Sequence, residues 1–379
     1  MKKTILALVL AAGITSPAEH AKAQDNATFY TTNSPGSTYG GAPVSAWQGL
    51  KNYANTGDLL FVGTSYLNGL VYTGPISGAG GSAYIYNAPG SVSTSIYGGD
   101  APTTSNITMV GSYNPLNPTN TTAINGFVAT GVNLANGTMT ASNFINITNG
   151  QSHTYVHSVM GGYAVGNSDN QLGTNPVNDG QAAFIYNISN GNNVPVAYAG
   201  AGVSNVVSTT LYAIWWNGGT SYTIAGGYDA GAATAGFVAN WDSGLGTNGF
   251  NDWTSYSNVD HFEGISSLTN GIYTLSAAAA SGGAALLTIN GDSNGFSSGQ
   301  LTTYSNSSTN WSFTSDDSCY GNYVVGIGIG PSNSLPVAYS AVLTSVPEPS
   351  QVTLLLGGIA GFVIVRCRKA LLVYVAARN

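Results

Sequence analysis

Few side chains in this sequence can do acid–base or metal chemistry. Its 379 residues include 15 Asp and Glu, 8 Lys and Arg, 4 His and 2 Cys. His153 and His157 have the i, i+4 spacing that suits zinc on a helix. The residues between them, Thr154, Tyr155 and Val156, are strand formers, so no metal is assigned there. Asp260, His261 and Glu263 form another small polar group. Paired carboxylates would serve glycoside hydrolysis, which needs two acidic groups flanking the bond. The candidate pairs are Asp316 with Asp317, Asp260 with Glu263, Asp229 with Asp242, and Asp169 with Asp179. Only Asp316 and Asp317 are adjacent, and adjacent strand residues face opposite sides. Asp among Asn and Gly otherwise bends or caps the chain. The oxygen-rich run Asn290 to Gly295 lacks the spacing of a calcium hand. With no phosphate loop, dinucleotide fingerprint or nucleophile elbow either, the sequence predicts no catalytic residue, no metal, no cofactor and a body that is not an enzyme.

Aromatic residues are the other chemical feature. Six Trp and 23 Tyr are present. Trp215 and Trp216 are consecutive and precede Asn217-Gly218-Gly219, a turn that should bring the strand end to the surface. On a strand one of the two faces away from its neighbours, so Trp215 and Trp216 are the candidate ligand-binding residues, suited to stacking on a sugar ring. Most other aromatics are expected to pack between sheets.

The elements that carry these residues are strands. Only 6% of the chain is charged, which leaves helical bundles without polar faces, and 51 Gly among Asn, Ser and Thr supply tight turns. Between Asp25 and Ser345 the only basic residue is Lys51. Such an anionic body cannot replace phosphate counterions, which excludes nucleic acid as a partner. One unit recurs: an aromatic or apolar strand ending on a small residue, a Gly/Asn-rich stretch, and a second short strand. It is seen at Val71–Gly74 with Ala83–Tyr86, Thr108–Gly111 with Gly126–Ala129, and Tyr163–Gly166 with Ala183–Tyr186. It recurs at Tyr222–Ala225 with Gly236–Ala239, Tyr273–Ser276 with Ala285–Thr288, and Tyr323–Gly326 with Val337–Ser340. Two further strand-like runs per unit, such as Thr209–Trp216 and Trp253–Ser257, give four strands per repeat. The sequence therefore predicts one all-β domain over residues 24–345, a six-bladed β-propeller. The last unit lacks a fourth strand, and Ala27–Thr32 is expected to supply it and so close the ring. Lone Cys319 is expected as a buried small hydrophobe or a free thiol.

The two ends are expected to be addresses. Residues 1–23 have Lys2 and Lys3, an apolar run, and Ala21 and Ala23 at alternate positions, the features of a signal peptide cut before Gln24. Residues 346–379 hold Val346-Pro347-Glu348-Pro349, an apolar run over Val352–Val365, and Arg366, Arg368 and Lys369 beyond it. The run predicts a single C-terminal hydrophobic helix, shorter than the roughly 20 residues of an untilted span, with its basic end cytoplasmic. This tail resembles the PEP-CTERM sorting signal. The extra segment Ala370–Asn379 departs from that pattern. The resemblance implies processing by an exosortase, a membrane-embedded peptidase, in a Gram-negative bacterium that makes extracellular polysaccharide. Tyr163-Ala164-Val165-Gly166-Asn167 with Ala183-Phe184-Ile185-Tyr186 also resembles HAF-type extracellular repeats.

Together these features predict an exported, non-enzymatic surface or matrix protein, held in the inner membrane by its C-terminal helix until processed. The partners expected are the exosortase and exopolysaccharide. A carbohydrate-binding module and a secreted glycoside-active enzyme are the alternatives. A central cleft with two nearby carboxylates would favour the enzyme.

Overall fold

The computed structural model describes residues 27–31, 38–116, 123–134, 139–148, 153–169, 182–231, 234–292, 295–303, 312–329 and 336–343. The expected signal peptide with its cleavage point at Gln24, the expected sorting motif and the expected C-terminal helix lie outside these residues, as do Asp179, Ser293 and Asn294. Among the described residues no helix is long and apolar enough to cross a membrane.

Alternating apolar and small or polar residues, broken by glycine turns, give short antiparallel strands. These form six radial sheets. After β1 (Ala27–Thr31) and a small ribbon of β2 (Thr38–Tyr39) and β3 (Ala42–Pro43), blade one holds β4 (Ala46–Asn52), β5 (Leu59–Ser65), β6 (Asn68–Gly74) and β7 (Ser82–Tyr86). Blade two holds β8 (Ser91–Thr103), β9 (Asn106–Pro115), β10 (Asn125–Val132) and β11 (Asn143–Ile147). Blade three holds β12 (His153–Met160), β13 (Tyr163–Asp169), β14 (Ala182–Asn187) and β15 (Asn193–Val196). In blade four come β16 (Ser208–Gly218), β17 (Ser221–Asp229), β18 (Thr234–Asp242) and β19 (Phe250–Tyr256). Blade five comprises β20 (Val259–Thr269), β21 (Ile272–Ala279), β22 (Ala284–Asp292), the short β23 (Gly295–Phe296) and β24 (Gln300–Thr303). Blade six holds β25 (Ser312–Tyr320), β26 (Tyr323–Ile329) and β27 (Pro336–Leu343), and β1 completes it.

The ring closes as the sequence predicts. β1 pairs antiparallel with β27 from Ala27 opposite Leu343 to Thr31 opposite Tyr339, so the N-terminal strand covers the outer edge of the last blade. Phe29 packs against Tyr339 there, their ring centroids 6.0 Å apart. The first strand of each blade lies innermost, and β4, β8, β12, β16, β20 and β25 contact one another in turn around the axis.

One expected copy of the repeat is displaced. Val71–Gly74 with Ala83–Tyr86 falls on the third and fourth strands of blade one, whereas the other five copies fall on the second and third. The true counterpart is β5 with β6. Gly63 of β5 lies opposite Trp47, as Gly111 lies opposite Ile96, Gly166 opposite Val156, Gly226 opposite Leu211 and Gly326 opposite Asp316. A side chain at any of these glycines would meet the backbone carbonyl oxygen of the inner strand at 2.0–2.2 Å. At these five places the inner and second strands leave no room for a side chain, whereas in blade five Ala277 occupies the equivalent position opposite Phe262.

Candidate functional site

The same close pairing is followed by a β-bulge in every inner strand. The register slips between Trp47 and Gly49, Ile96 and Gly98, Val156 and Ser158, Leu211 and Ala213, Phe262 and Gly264, and Asp316 and Ser318. A bulge re-aims the extra side chain. Here the extra residues are Gln48, Tyr97, His157, Tyr212, Glu263 and Asp317, one per blade. All six line one axial cavity of about 410 Å³. Tyr155, Asn167, His261 and Ile327 complete its wall.

The wall has two chemical halves. Blades two to four carry an aromatic crescent: Tyr97 stacks on His157 at 5.3 Å, His157 meets Tyr212 at 4.4 Å, and Tyr155 sits 6.2 Å from His157. Tyr212 in turn lies 5.3 Å from His261 of blade five. Blades five and six carry the acids. Glu263 Oε1 is 2.8 Å from His261 Nε2, and the Asp317 carboxyl, near enough to feel the Glu263 charge, accepts from Ser315 Oγ at 2.6 Å. Both Glu263 and His261 keep solvent access, with 19% and 33% of their side chains exposed.

Burial sets the protonation of these groups. It raises Asp317 well above the usual carboxylate range, and the nearby charge of Glu263 raises it further. Two carboxyls so close disfavour a second charge, so the protonated form of Asp317 is the favoured one of its two forms beside Glu263. His157 is pushed down to about 3 by burial and by His261, and is a neutral ring. Burial alone would lower His261, but the hydrogen bond and charge of Glu263 outweigh it and raise this imidazole above its ordinary value.

Below the cavity the inner strands close together. Gly49, Gly98, Ser158, Gly264 and Ser318 line a residual space of only about 10 Å³. Lys51, the only basic residue of the body, sits at this lower level. Its Nζ donates to the Ile265 carbonyl at 3.2 Å and lies 4.8 Å from the centre of the Trp215 ring. Burial lowers this amine to about 8 against the opposing pull of Asp100.

The structure thus separates the residues singled out in the sequence. Trp215 is half-buried under Lys51, while Trp216 is 44% exposed and donates its indole N–H to the Gly219 carbonyl. Neither lines the cavity. Of the two histidines, His157 lines it and His153 is buried at the start of the strand. Asp316 and Asp317 face opposite ways, as adjacent strand residues should. The acid pair is instead Glu263 with Asp317, from neighbouring blades, joined by His261. Asp229 and Asp242 lie at the two ends of the β17–β18 pairing, where each accepts a backbone N–H two residues on. Cys319 is a buried free thiol and donates to the Thr274 carbonyl. The sequence pointed to neither Gln48 nor Tyr97, Tyr155 and Tyr212. Their signal was a large residue, then the bulge residue, then Gly, Ser or Ala, as in Trp47-Gln48-Gly49, Val156-His157-Ser158 and Phe262-Glu263-Gly264.

No family model and no curated protein matches the chain. Solved structures similar to it include a Trypanosoma rangeli sialidase in complex with sialic acid, at 10% identity and a TM-score of 0.44 over 86% of this chain. The chain spans 58% of the length of that sialidase. A triple mutant of AofleA from Arthrobotrys oligospora is similar at 11% identity and a TM-score of 0.42, over 81% of this chain and 84% of that one. At such identities the likeness concerns the propeller architecture and not its chemistry. The expectation of a body that is not an enzyme is nevertheless corrected. Across blades five and six the ring assembles a solvent-open Glu–Asp pair, an acid–base arrangement that the linear sequence keeps apart.

Proposed function

We propose that the protein is an exported, surface- or matrix-associated glycoside hydrolase whose central cavity carries the reaction. The observation that supports this is the pair Glu263 and Asp317 facing an aromatic crescent. Apolar C–H faces of a sugar stack on Tyr97, Tyr155 and Tyr212, and its hydroxyls meet the carboxyls. Carboxyls this close fit the shorter separation of a double displacement, roughly 5–5.5 Å, better than the roughly 6.5–9.5 Å that an inverting reaction leaves for its water. Protonated Asp317 gives its proton to the leaving glycosidic oxygen as the bond from the anomeric carbon to that oxygen breaks. Glu263, held by His261, attacks the anomeric carbon and forms the glycosyl ester. A water then takes the sugar from Glu263 and returns its proton to Asp317.

Export and processing rest on the ends of the chain: Ala21, Ala23 and Gln24 as the signal cleavage point, and Val346-Pro347-Glu348-Pro349 with Arg366, Arg368 and Lys369 as a PEP-CTERM-like sorting signal. The proposed partners are an exosortase and exopolysaccharide, in keeping with a glycan-acting body. The test is release of reducing ends from neutral glycans by the purified protein. Glu263→Gln and Asp317→Asn should each lower the rate by about 10² or more, the usual worth of a positioned acid or base. Rates unchanged in both variants would overturn the assignment.

A further inference from the structure

Resting on the glycoside reading of the cavity, we propose that the site accepts only the end of a glycan chain, and that the end sugar is uncharged or bears an amino group. The first half follows from the shape. Immediately past the ring of bulge residues the inner strands approach so closely that a side-chain carbon at Gly49 would lie 2.6 Å from the Tyr97 carbonyl oxygen. One at Gly98 would lie 2.6 Å from the His157 oxygen, and one at Gly264 2.8 Å from the Ser318 Cα. The 10 Å³ left there is at the limit of room for one water. Lys51 then bridges from blade one to the Ile265 carbonyl of blade five. A chain that enters the cavity meets a floor and cannot pass through, so the bond beside the acids is the one nearest the chain end.

The second half follows from charge. The cavity wall carries Glu263 and Asp317 and no Lys or Arg. His157 is neutral, and His261 is already engaged by Glu263. Lys51 is on the far side of the floor, bound to a carbonyl and over the Trp215 ring, and does not reach the cavity. A uronic or sialic acid would bring a carboxylate against the Glu263 charge with no Lys or Arg in the wall to balance it, whereas an ammonium would meet that charge favourably. A neutral sugar costs nothing electrostatically and still gains the aromatic crescent.

The experiment incubates the full-length protein with oligosaccharides labelled at the reducing end: cello-, malto-, xylo-, manno- and chitosan hexamers, with hexagalacturonate and the trisaccharide sialyllactose as the acidic arm. The expected result is a labelled pentamer as the first product from at least one neutral or amino probe, with acidic probes cleaved at least 100-fold more slowly. Labelled dimers or trimers appearing first would overturn the chain-end assignment. Acidic probes cleaved within tenfold of the best neutral probe would overturn the charge assignment. Gln48→Lys, which places a cation in the wall, should narrow the acidic-to-neutral gap at least tenfold, and an unchanged gap in a variant that melts like wild type would also overturn it. Cleavage of no probe at all refutes the glycoside reading, and this inference with it.

Discussion

Asp316 offers the sharpest test of how this propeller holds its charges. It is fully buried, its Oδ1 contacts the Tyr339 hydroxyl, and its Oδ2 has no hydrogen-bond partner. Tyr339 also lies 2.9 Å from the Ser315 carbonyl, and one phenolic hydrogen serves one acceptor. A proton on Asp316 resolves the conflict by donating to the phenol oxygen while the phenol donates to Ser315. Burial raises the Asp316 carboxyl well above its ordinary range. The Tyr339 bond opposes this and the Glu263 charge adds to it. A carboxyl raised in the folded state contributes stability that is fully present below the unfolded value of about 3.9 and is lost as pH rises toward the folded value. The loss amounts to about 1.4 kcal/mol per pH unit for one proton. Asp316→Asn keeps the shape and removes the titration, so its stability relative to wild type should climb, by up to about 1.4 kcal/mol per unit, as pH rises above the unfolded value and until Asp316 ionises in the folded state. Denaturant unfolding of both proteins from acid to neutral pH measures it. A difference that stays flat with pH would show that Asp316 ionises inside the blade, and would refute the reasoning.

Three other outcomes follow from the fold and the tail. Deleting Ala27–Thr31 strips the outer edge of blade six and removes the Phe29 contact with Tyr339; the melting temperature should fall by more than the roughly 2–4 °C that 1 kcal/mol represents in a domain of this size. Gly166→Ala puts a carbon 2.2 Å from the Tyr155 carbonyl oxygen and 2.9 Å from the Phe184 ring, and should cost about 1–3 kcal/mol in denaturant unfolding, with no loss signifying that the inner pairing yields freely. Under the proposed sorting role, replacing Pro347 and Pro349 with Ala should leave the chain uncleaved at its C-terminus, as read from its intact mass, because proline no longer holds that segment extended.

The sequence by itself determined what depends on neighbours along the chain. Glycine turns and alternating strands at regular intervals make a propeller, and a sixth repeat missing its last strand calls for one from the other end, which Ala27–Thr31 supplies. Tertiary structure decided what depends on phase and on distance across the ring. Alternation shows that Asp316 and Asp317 face opposite ways, but the bulge between Asp316 and Ser318 decides that Asp317 takes the cavity and Asp316 the blade interior. Likewise the acid pair could not be read along the chain, because Glu263 and Asp317 lie on different blades and meet only when the ring closes. The same holds for Tyr97, His157 and Tyr212, whose equivalence rests on one extra residue per inner strand. Trp215 and Trp216 stand out in the sequence by residue type alone. Their strand's register carries them past the narrow floor, where Lys51 covers one and solvent reaches the other.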